Sequence, residues 1–293
     1  MRIQRVSSKW AKTKVILQNR PLSVFIPETR KYSLDSLKEL LGLYGTVFIK
    51  PDRGTYGNGV MRAEQRIVHL SSSEQQPGTE HSESEGNEAL LSQQIMYVLR
   101  YNMDAEAFSS PELLHAAIKR RIQGRVYLIQ QGIDLLRHDD RPFDLRILTQ
   151  KNLKGGWETT GMVGRVAAPL KIVTNYHSGG SVLPVKALLK GHMIPDELTK
   201  AVQNLKNLGV RIAAQLETAY PDIKEIGLDV ALDQHHDPWL LEVNTLPAIM
   251  VFKQFPDKSI YRRIHRYAVA YGRLKKSKTT AKASSRRKSL SKR

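Results

Sequence analysis

The chain has 293 residues, 41% hydrophobic and 25% charged, which excludes wholesale disorder and fibrous classes and leaves enough chain to bury a core in one or two domains. There is no cysteine, so disulfides and thiolate metal sites are excluded and a reducing compartment is allowed. The formal charge is +18, but residues 273–293 carry ten Lys or Arg and no acid, leaving +8 for the rest.

The N-terminal MRIQRVSSKWAK is basic with no apolar segment behind it. No run approaches the roughly 18 apolar residues of a spanning helix, so neither Sec export nor a transmembrane segment is predicted, and the expected location is cytoplasmic. Residues 32–44 (YSLDSLKELLGLY) have helical spacing behind a candidate cap at Ser33, and Gly45 ends the helix before the strand TVFIK. The turn-rich DRGTYGNG and a second extended run, VMRAEQRIVHL, predict a hairpin with no helix after its glycines. Residues 71–88, SSSEQQPGTEHSESEGNE, predict a solvated acidic insertion.

Apolar spacing predicts helices over 90–101 and 111–122, the latter with Pro111 in its first turn and Gly124 after its end. VYLIQQGIDL reads as a buried strand. FDLRILTQ reads as a strand with Asp144 and Arg146 on one face, and GWETTGMVGRVAA continues the sheet. After the loop NYHSGG come a helix over 196–219, a hairpin over 226–245 and a helix over 257–271. The tail RLKKSKTTAKASSRRKSLSKR has no apolar periodicity and repels itself. It predicts a disordered end that either solubilises the chain or binds a polyanion, an acidic coat protein or an anionic surface in a salt-sensitive way.

The residues with the clearest chemistry lie in IGLDVALDQHHDPWLLEVNT. A turn centred on His235 and His236 sets Asp229 opposite Glu242, and Asn244, two residues on, faces the same way. Two carboxylates and an amide oxygen are the hard-oxygen set that Mg²⁺ accepts, with phosphates and waters completing its octahedron. The competing reading puts one or both carboxylates on a solvated face, against which the flanking leucines and valines argue. His235 and His236 are most simply turn residues, since no third His or Cys is near enough in sequence for zinc.

Lys50 ends TVFIK, and Gly54, Gly57 and Gly59 follow, so backbone N–H groups there would close over phosphates while the lysine supplies charge. A plain glycine hairpin remains the other reading, because no Lys-Ser/Thr and helix follow as in a P-loop. Arg146 and Arg165 sit in strand-like runs where a buried guanidinium needs an anion, either a ligand or a structural partner such as Asp144 for Arg146.

Taken in order, SKW, FIKPDRGTYGNGV, LIQQGIDL, FDLRILTQ, GRVAAPLKIVTNYHSGG and IGLDVALDQHHDPWLLEVNT resemble the ATP-grasp superfamily over most of residues 9–250. Within it the chain resembles the YheC/YheD family of endospore coat-associated proteins. It is more distantly similar to RimK-type carboxylate–amine ligases and glutathione synthetases.

The resemblance implies an α+β ATP-grasp fold in which two α+β subdomains grip ATP. The smaller lobe is 1–131, the larger 132–272 with the metal hairpin, and the tail 273–293. It implies phosphate contacts for Lys9 and Lys50, a cover over the phosphates from Gly54, Gly57 and Gly59, and an adenine bracket from Gln130, Gln131 and Ile133 with Asp134 near the ribose. Asp229, Glu242 and Asn244 would hold one or two Mg²⁺, with Mn²⁺ as an alternative. Arg146 would steady the transferred phosphoryl group, and Arg165, Lys171 and Asn175 match the RimK-like stretch. The implied reaction is ATP-dependent joining of an unknown carboxylate and amine, on a peptide or polymer among other candidates, through an acyl-phosphate.

Two departures stand against the family pattern. The chain starts almost at the Lys9 motif, so the expectation is of no separate N-terminal domain before the ATP-grasp fold, and Gly227 stands where D-alanine ligase-like members carry arginine. The competing function is a nucleotide-binding, catalytically weak structural protein associated with the spore coat of an endospore-forming bacterium.

Overall fold

The computed structural model describes residues 3–55, 57–70, 92–169, 180–255 and 257–275. In chain order these form α1 (Lys9–Leu17), α2 (Arg20–Ser23), β1 (Thr29–Lys31), α3 (Leu34–Tyr44), β2 (Thr46–Pro51), β3 (Met61–Leu70), β4 (Ser92–Tyr101) and β5 (Asp104–Phe108). There follow α4 (Pro111–Ile122), β6 (Tyr127–Gln131), β7 (Arg137–His138), β8 (Arg141–Lys151), β9 (Trp157–Val166), β10 (Ser181–Leu183) and α5 (Val185–Leu189). Last come α6 (Pro195–Glu217), β11 (Glu225–Leu232), β12 (Pro238–Asn244), a 3-10 helix (Met250–Gln254) and α7 (Lys258–Ala270). No helix among the described residues is long and apolar enough to cross a membrane.

The strands form two sheets, one ordered β1-β6-β2-β3-β4-β5 and the other β10-β9-β8-β11-β12, with β7 paired to β8. On the first sheet, α3 and α4 bury Leu37, Leu40, Leu41, Leu114 and Ile118 against Val47, Ile49 and Ile129. Side chains alternate along a strand, so Phe48, Lys50 and Gln130 are left on the opposite face. Helix α3 starts at a Ser33 capping box closed by Ser36 and ends where Gly45 takes φ +67°.

On the second sheet, α6 covers Leu145, Ile147, Leu228 and Val230 on one face. The opposite face is divided. The 3-10 helix and α7 cover Leu148 and Val163 with Phe252 and Ile264, and the rest carries the polar residues of β8, β9, β11 and β12 toward the first sheet.

Three expectations are corrected. Residues 92–101 are strand, not helix. They pair antiparallel with β3 from Met61↔Tyr101 to Leu70↔Ser92, and Tyr97, Leu99 and Tyr101 face the first core at a period of two. A long partner strand overrode a local pattern that also matched helical spacing. Val15, Ile16 and Leu22, assigned by sequence to the smaller lobe, pack in the core of the second sheet. Arg273, assigned to the tail, is ion-paired with the fully buried Glu225, donates to Pro247 O at 2.7 Å, and is followed by Leu274, which packs with Phe252 and Ile264. The insertion 71–88 and the tail from residue 276 lie outside the described residues.

Candidate active site

The β11–β12 hairpin places two carboxylates side by side. Asp229 pairs with Glu242, Leu228 with Val243 and Gly227 with Asn244, the register expected from the sequence. It is reached by two offsetting features. The turn is a five-residue loop held by Asp233, whose Oδ1 accepts from the backbone N–H groups of His235 and Asp237 at 2.9 Å and whose Oδ2 accepts from Trp239 Nε1 at 2.8 Å. Past the turn the pairs run Leu232↔Pro238 and Val230↔Leu240, and an irregularity between Asp229 and Val230, with Leu241 as the extra residue, shifts the register by one. His235 and His236 are turn residues, the latter at φ +68°.

Asp229 is buried against two arginines. Arg146, its cross-strand neighbour on β8, donates from Nε to Oδ1 at 2.6 Å and from Nη2 to Oδ2 at 3.3 Å. Arg165 Nη2 lies 3.1 Å from Asp229 Oδ1 and also grips Asp144 through two bonds of 2.7 and 2.6 Å. Burial pushes the Asp229 carboxyl up, but the two guanidinium groups outweigh it and hold it below the usual carboxylate range. Burial likewise opposes the charge on Arg165, and Asp144 and Asp229 more than restore it.

The structural alternative left open for Arg146 is therefore resolved differently. Its partner is Asp229, while Asp144 holds Arg165, its cross-strand neighbour on β9. Gly227 makes room here, because a Cβ would meet Pro247 Cβ at 2.5 Å and Arg146 Cδ at 3.3 Å.

Across from this face, Lys50 reaches from β2 and donates to Gln130 on β6. Burial pushes its ammonium down to about 8 against the pull of Glu242. The glycine loop behind it is a hairpin connection with Gly57 at φ +73° and Gly59 at φ +78°, and a Cβ on Gly59 would lie 2.8 Å from Tyr127 Oη. Both positions need glycine for conformation, and Gly59 needs it for space as well.

Asp52, two residues after Lys50, ties this loop to the first helix. Its Oδ1 accepts from Trp10 N at 2.8 Å and Ser8 Oγ at 2.9 Å, and its carbonyl accepts from Lys9 N at 2.9 Å. Lys9 Nζ then reaches Gly54 O at 3.3 Å and Glu242 at 3.6 Å.

Between the sheets lies a cleft of about 610 Å³. Lys50, Gly57, Gln130, Gln131, Ile133 and Asp134 line one side, and Arg165, Asp229 and Glu242 the other. Lys9 stands beneath it in a small cavity shared with Lys12, Lys50 and Glu242. Gly54, Gly59, Arg146 and Asn244 adjoin these walls without lining the cleft, and Lys171 and Asn175 lie outside the described residues.

Sequence reasoning left Asp52 and the partnership of Asp144 with Arg165 unassigned. The first has no sequence signal. The second becomes visible only once β8 and β9 are in register, at Asp144↔Arg165.

Among the described residues no group of three His, Cys, Asp or Glu is gathered around one point. The donor set available to a divalent cation is instead two carboxylates plus the Asn244 amide, beside a cleft that admits phosphates and water. That suits Mg²⁺, which typically takes one or two carboxylates and completes its shell with phosphate and water.

Two helix-backed sheets facing each other across such a cleft define an ATP-grasp protein. More narrowly, residues 3–274 match the YheC/D-like ATP-grasp family, and the chain belongs to it. It is 27% identical over 252 residues to endospore coat-associated protein YheD of Bacillus subtilis (strain 168), covering 84% of this chain and 49% of that protein. It is 21% identical over 241 residues to endospore coat-associated protein YheC of the same organism, covering 82% of this chain and 59% of that protein.

The chain thus spans about half the length of these relatives. Among solved structures, D-cycloserine synthetase DcsG superposes with a TM-score of 0.50 at 10% identity, covering 90% of this chain and 69% of that one. D-alanyl-alanine synthetase A from Vibrio cholerae O1 biovar eltor str. N16961 gives 0.46 at 14%, covering 89% and 60%.

Proposed function

We propose that this chain binds Mg²⁺·ATP in the cleft between the sheets and joins a carboxylate to an amine. The observation that carries the proposal is the convergence on one cleft of Lys50, the glycine loop, the Gln130–Asp134 strand end and the facing carboxylates Asp229 and Glu242. Asp229 already has two arginines, whereas the ion pair of Glu242 is with Lys9 at 3.6 Å, so a cation with phosphate oxygens would engage both facing acids.

In this reading the two lobes are those divided at residue 131, with α1 and α2 lodged on the larger, which extends to Leu274. Backbone groups of Gln130 to Ile133 hold the adenine and Asp134 faces the ribose. Lys9, Lys50 and the loop with Gly54, Gly57 and Gly59 hold the phosphates. Asp229, Glu242 and Asn244 would hold the metal, which when bound neutralises charge developing on the phosphoryl oxygens.

The substrate carboxylate oxygen bonds to the γ-phosphorus and ADP departs. The amine nitrogen then bonds to the acyl carbon and inorganic phosphate departs, the amine proton passing to solvent. Arg146 and Arg165 are poised to turn from Asp229 toward the transferred group, where fixed guanidinium donors offset equatorial charge. Family resemblance adds Lys171 and Asn175 to the nucleotide-binding set.

Calorimetry of ATP binding with Mg²⁺ or Mn²⁺, on the wild type and Glu242→Ala, tests the site, and ADP release with mixed amino-acid and peptide pools tests the reaction. Binding lost in the variant together with pool-stimulated ADP release supports a ligase. Absence of nucleotide binding removes the proposal. A second reading, a nucleotide-binding coat protein of weak turnover, is supported by the naming of YheD and YheC as coat-associated. It predicts binding without stimulated ADP release, with the basic tail beyond residue 273 contacting coat protein or another polyanion.

A further inference from the structure

Lys12 is a buried charge that the proposed reaction has not used. It lies on α1, one turn after Lys9, and is only 4% exposed. An ammonium carries three donors, and among the described residues Lys12 has one hydrogen bond, to Val6 O at 3.0 Å. It faces a small cavity of about 30 Å³ whose charged walls are Lys9, Lys50 and Glu242, with Gln130, Thr13 and Thr29 as its neutral polar lining. Within its lining three ammonium groups share one carboxylate, which Lys9 approaches at 3.6 Å; the more distant Asp52, Asp229 and Asp144 also act on Lys12 or Lys50, but Asp52 is bonded to Ser8 and Trp10 and the other two to arginines.

Burying an ammonium is unfavourable unless an anion compensates it. If Glu242 also serves a divalent cation, its charge is spent twice and the three lysines face a shortage of negative charge. The missing charge has to arrive with the ligand. We propose that Lys12 is a third phosphate-binding lysine of this site, held ready beneath Lys9 and Lys50 for the polyphosphate of a nucleoside triphosphate. The proposal rests on the nucleotide-binding reading above and adds a ligand contact to it.

Lys12→Met keeps the side-chain length and removes the charge, and two readouts should move in opposite directions. Without nucleotide the variant should melt at a higher temperature than the wild type, because an under-compensated buried ammonium has been replaced by apolar atoms. Its Kd for ATP with Mg²⁺ should rise roughly tenfold or more, as expected for loss of a charge-assisted hydrogen bond. Its Kd for adenosine, which has no phosphate, should stay unchanged.

A lower melting temperature, or failure to fold, would show that Lys12 is a structural partner of Glu242 and overturn the proposal. So would unchanged ATP affinity, or an equal loss for ATP and adenosine. A wild type that binds no nucleotide would instead bring down the nucleotide reading itself, and the role of Lys12 with it.

Discussion

The clasp on Asp229 allows a test that needs no ligand. In Asp229→Asn the Arg146 fork, now held at 2.6 and 3.3 Å, loses its anionic partner, while Arg165 keeps its two bonds to Asp144. Removing one partner of a buried ion pair costs about 3–5 kcal/mol. Asparagine retains one acceptor oxygen and Arg165 is already satisfied, so the lower end, about 3 kcal/mol, applies. For a chain of this size that is a fall in melting temperature of roughly 6–12 °C.

The assay is thermal and urea unfolding of the full chain, with the exposed carboxylate variant Asp222→Asn as control, expected within about 0.5 kcal/mol of wild type. Adding Arg146→Met to Asp229→Asn removes the orphaned charge and should recover roughly half of the loss. A melting temperature unchanged in Asp229→Asn, or a double variant no more stable than the single one, would refute the claim that Arg146 and Asp229 are a compensating pair.

Burial holds Lys12 and Lys50 at about 8 against an ordinary 10.5, so between these values the unfolded chain binds more protons than the folded one. Stability should therefore rise as pH increases from about 8 toward 10. Tyr32 and Tyr271, pushed up by burial from 10.0, reverse the slope above that, and a pH series of urea midpoints reads both limbs. Gly59→Ala places a Cβ 2.8 Å from Tyr127 Oη at φ +78°, and should weaken ATP binding while lowering stability by about 1–3 kcal/mol, measured by calorimetry and melting. Glu225→Gln should cost about 3 kcal/mol and speed tryptic cleavage after Arg273, because the buried carboxylate is what holds that arginine. Deleting residues 276–293 should leave the ATP affinity of the wild type intact, as read by the same calorimetry.

What was legible in the sequence is what short-range chemistry decides. A polar turn between two apolar runs, with a side-chain period of two, was enough to pair Asp229 with Glu242 and to put Asn244 beside Gly227, even though the true turn is offset and corrected by an irregularity at Leu241. Lys50 at the end of a strand, followed by glycines with no helix, was likewise a local pattern. So was helix α3, whose start and stop lie in Ser33 and Gly45.

The rest depended on partners far away in the chain. Residues 92–101 match helical spacing as a segment and become strand because β3 lies beside them. Arg146 shares a face with Asp144 two residues away, yet the register of β8 against β11 sets it opposite Asp229, 83 residues on. The burial of Lys12 has no local signal, because it loses water only when α1 is packed between the sheets. Local sequence sets backbone preference and which face a side chain takes, whereas burial, charge pairing and the assembly of a site are properties of distant segments brought together, and those only the tertiary structure decided.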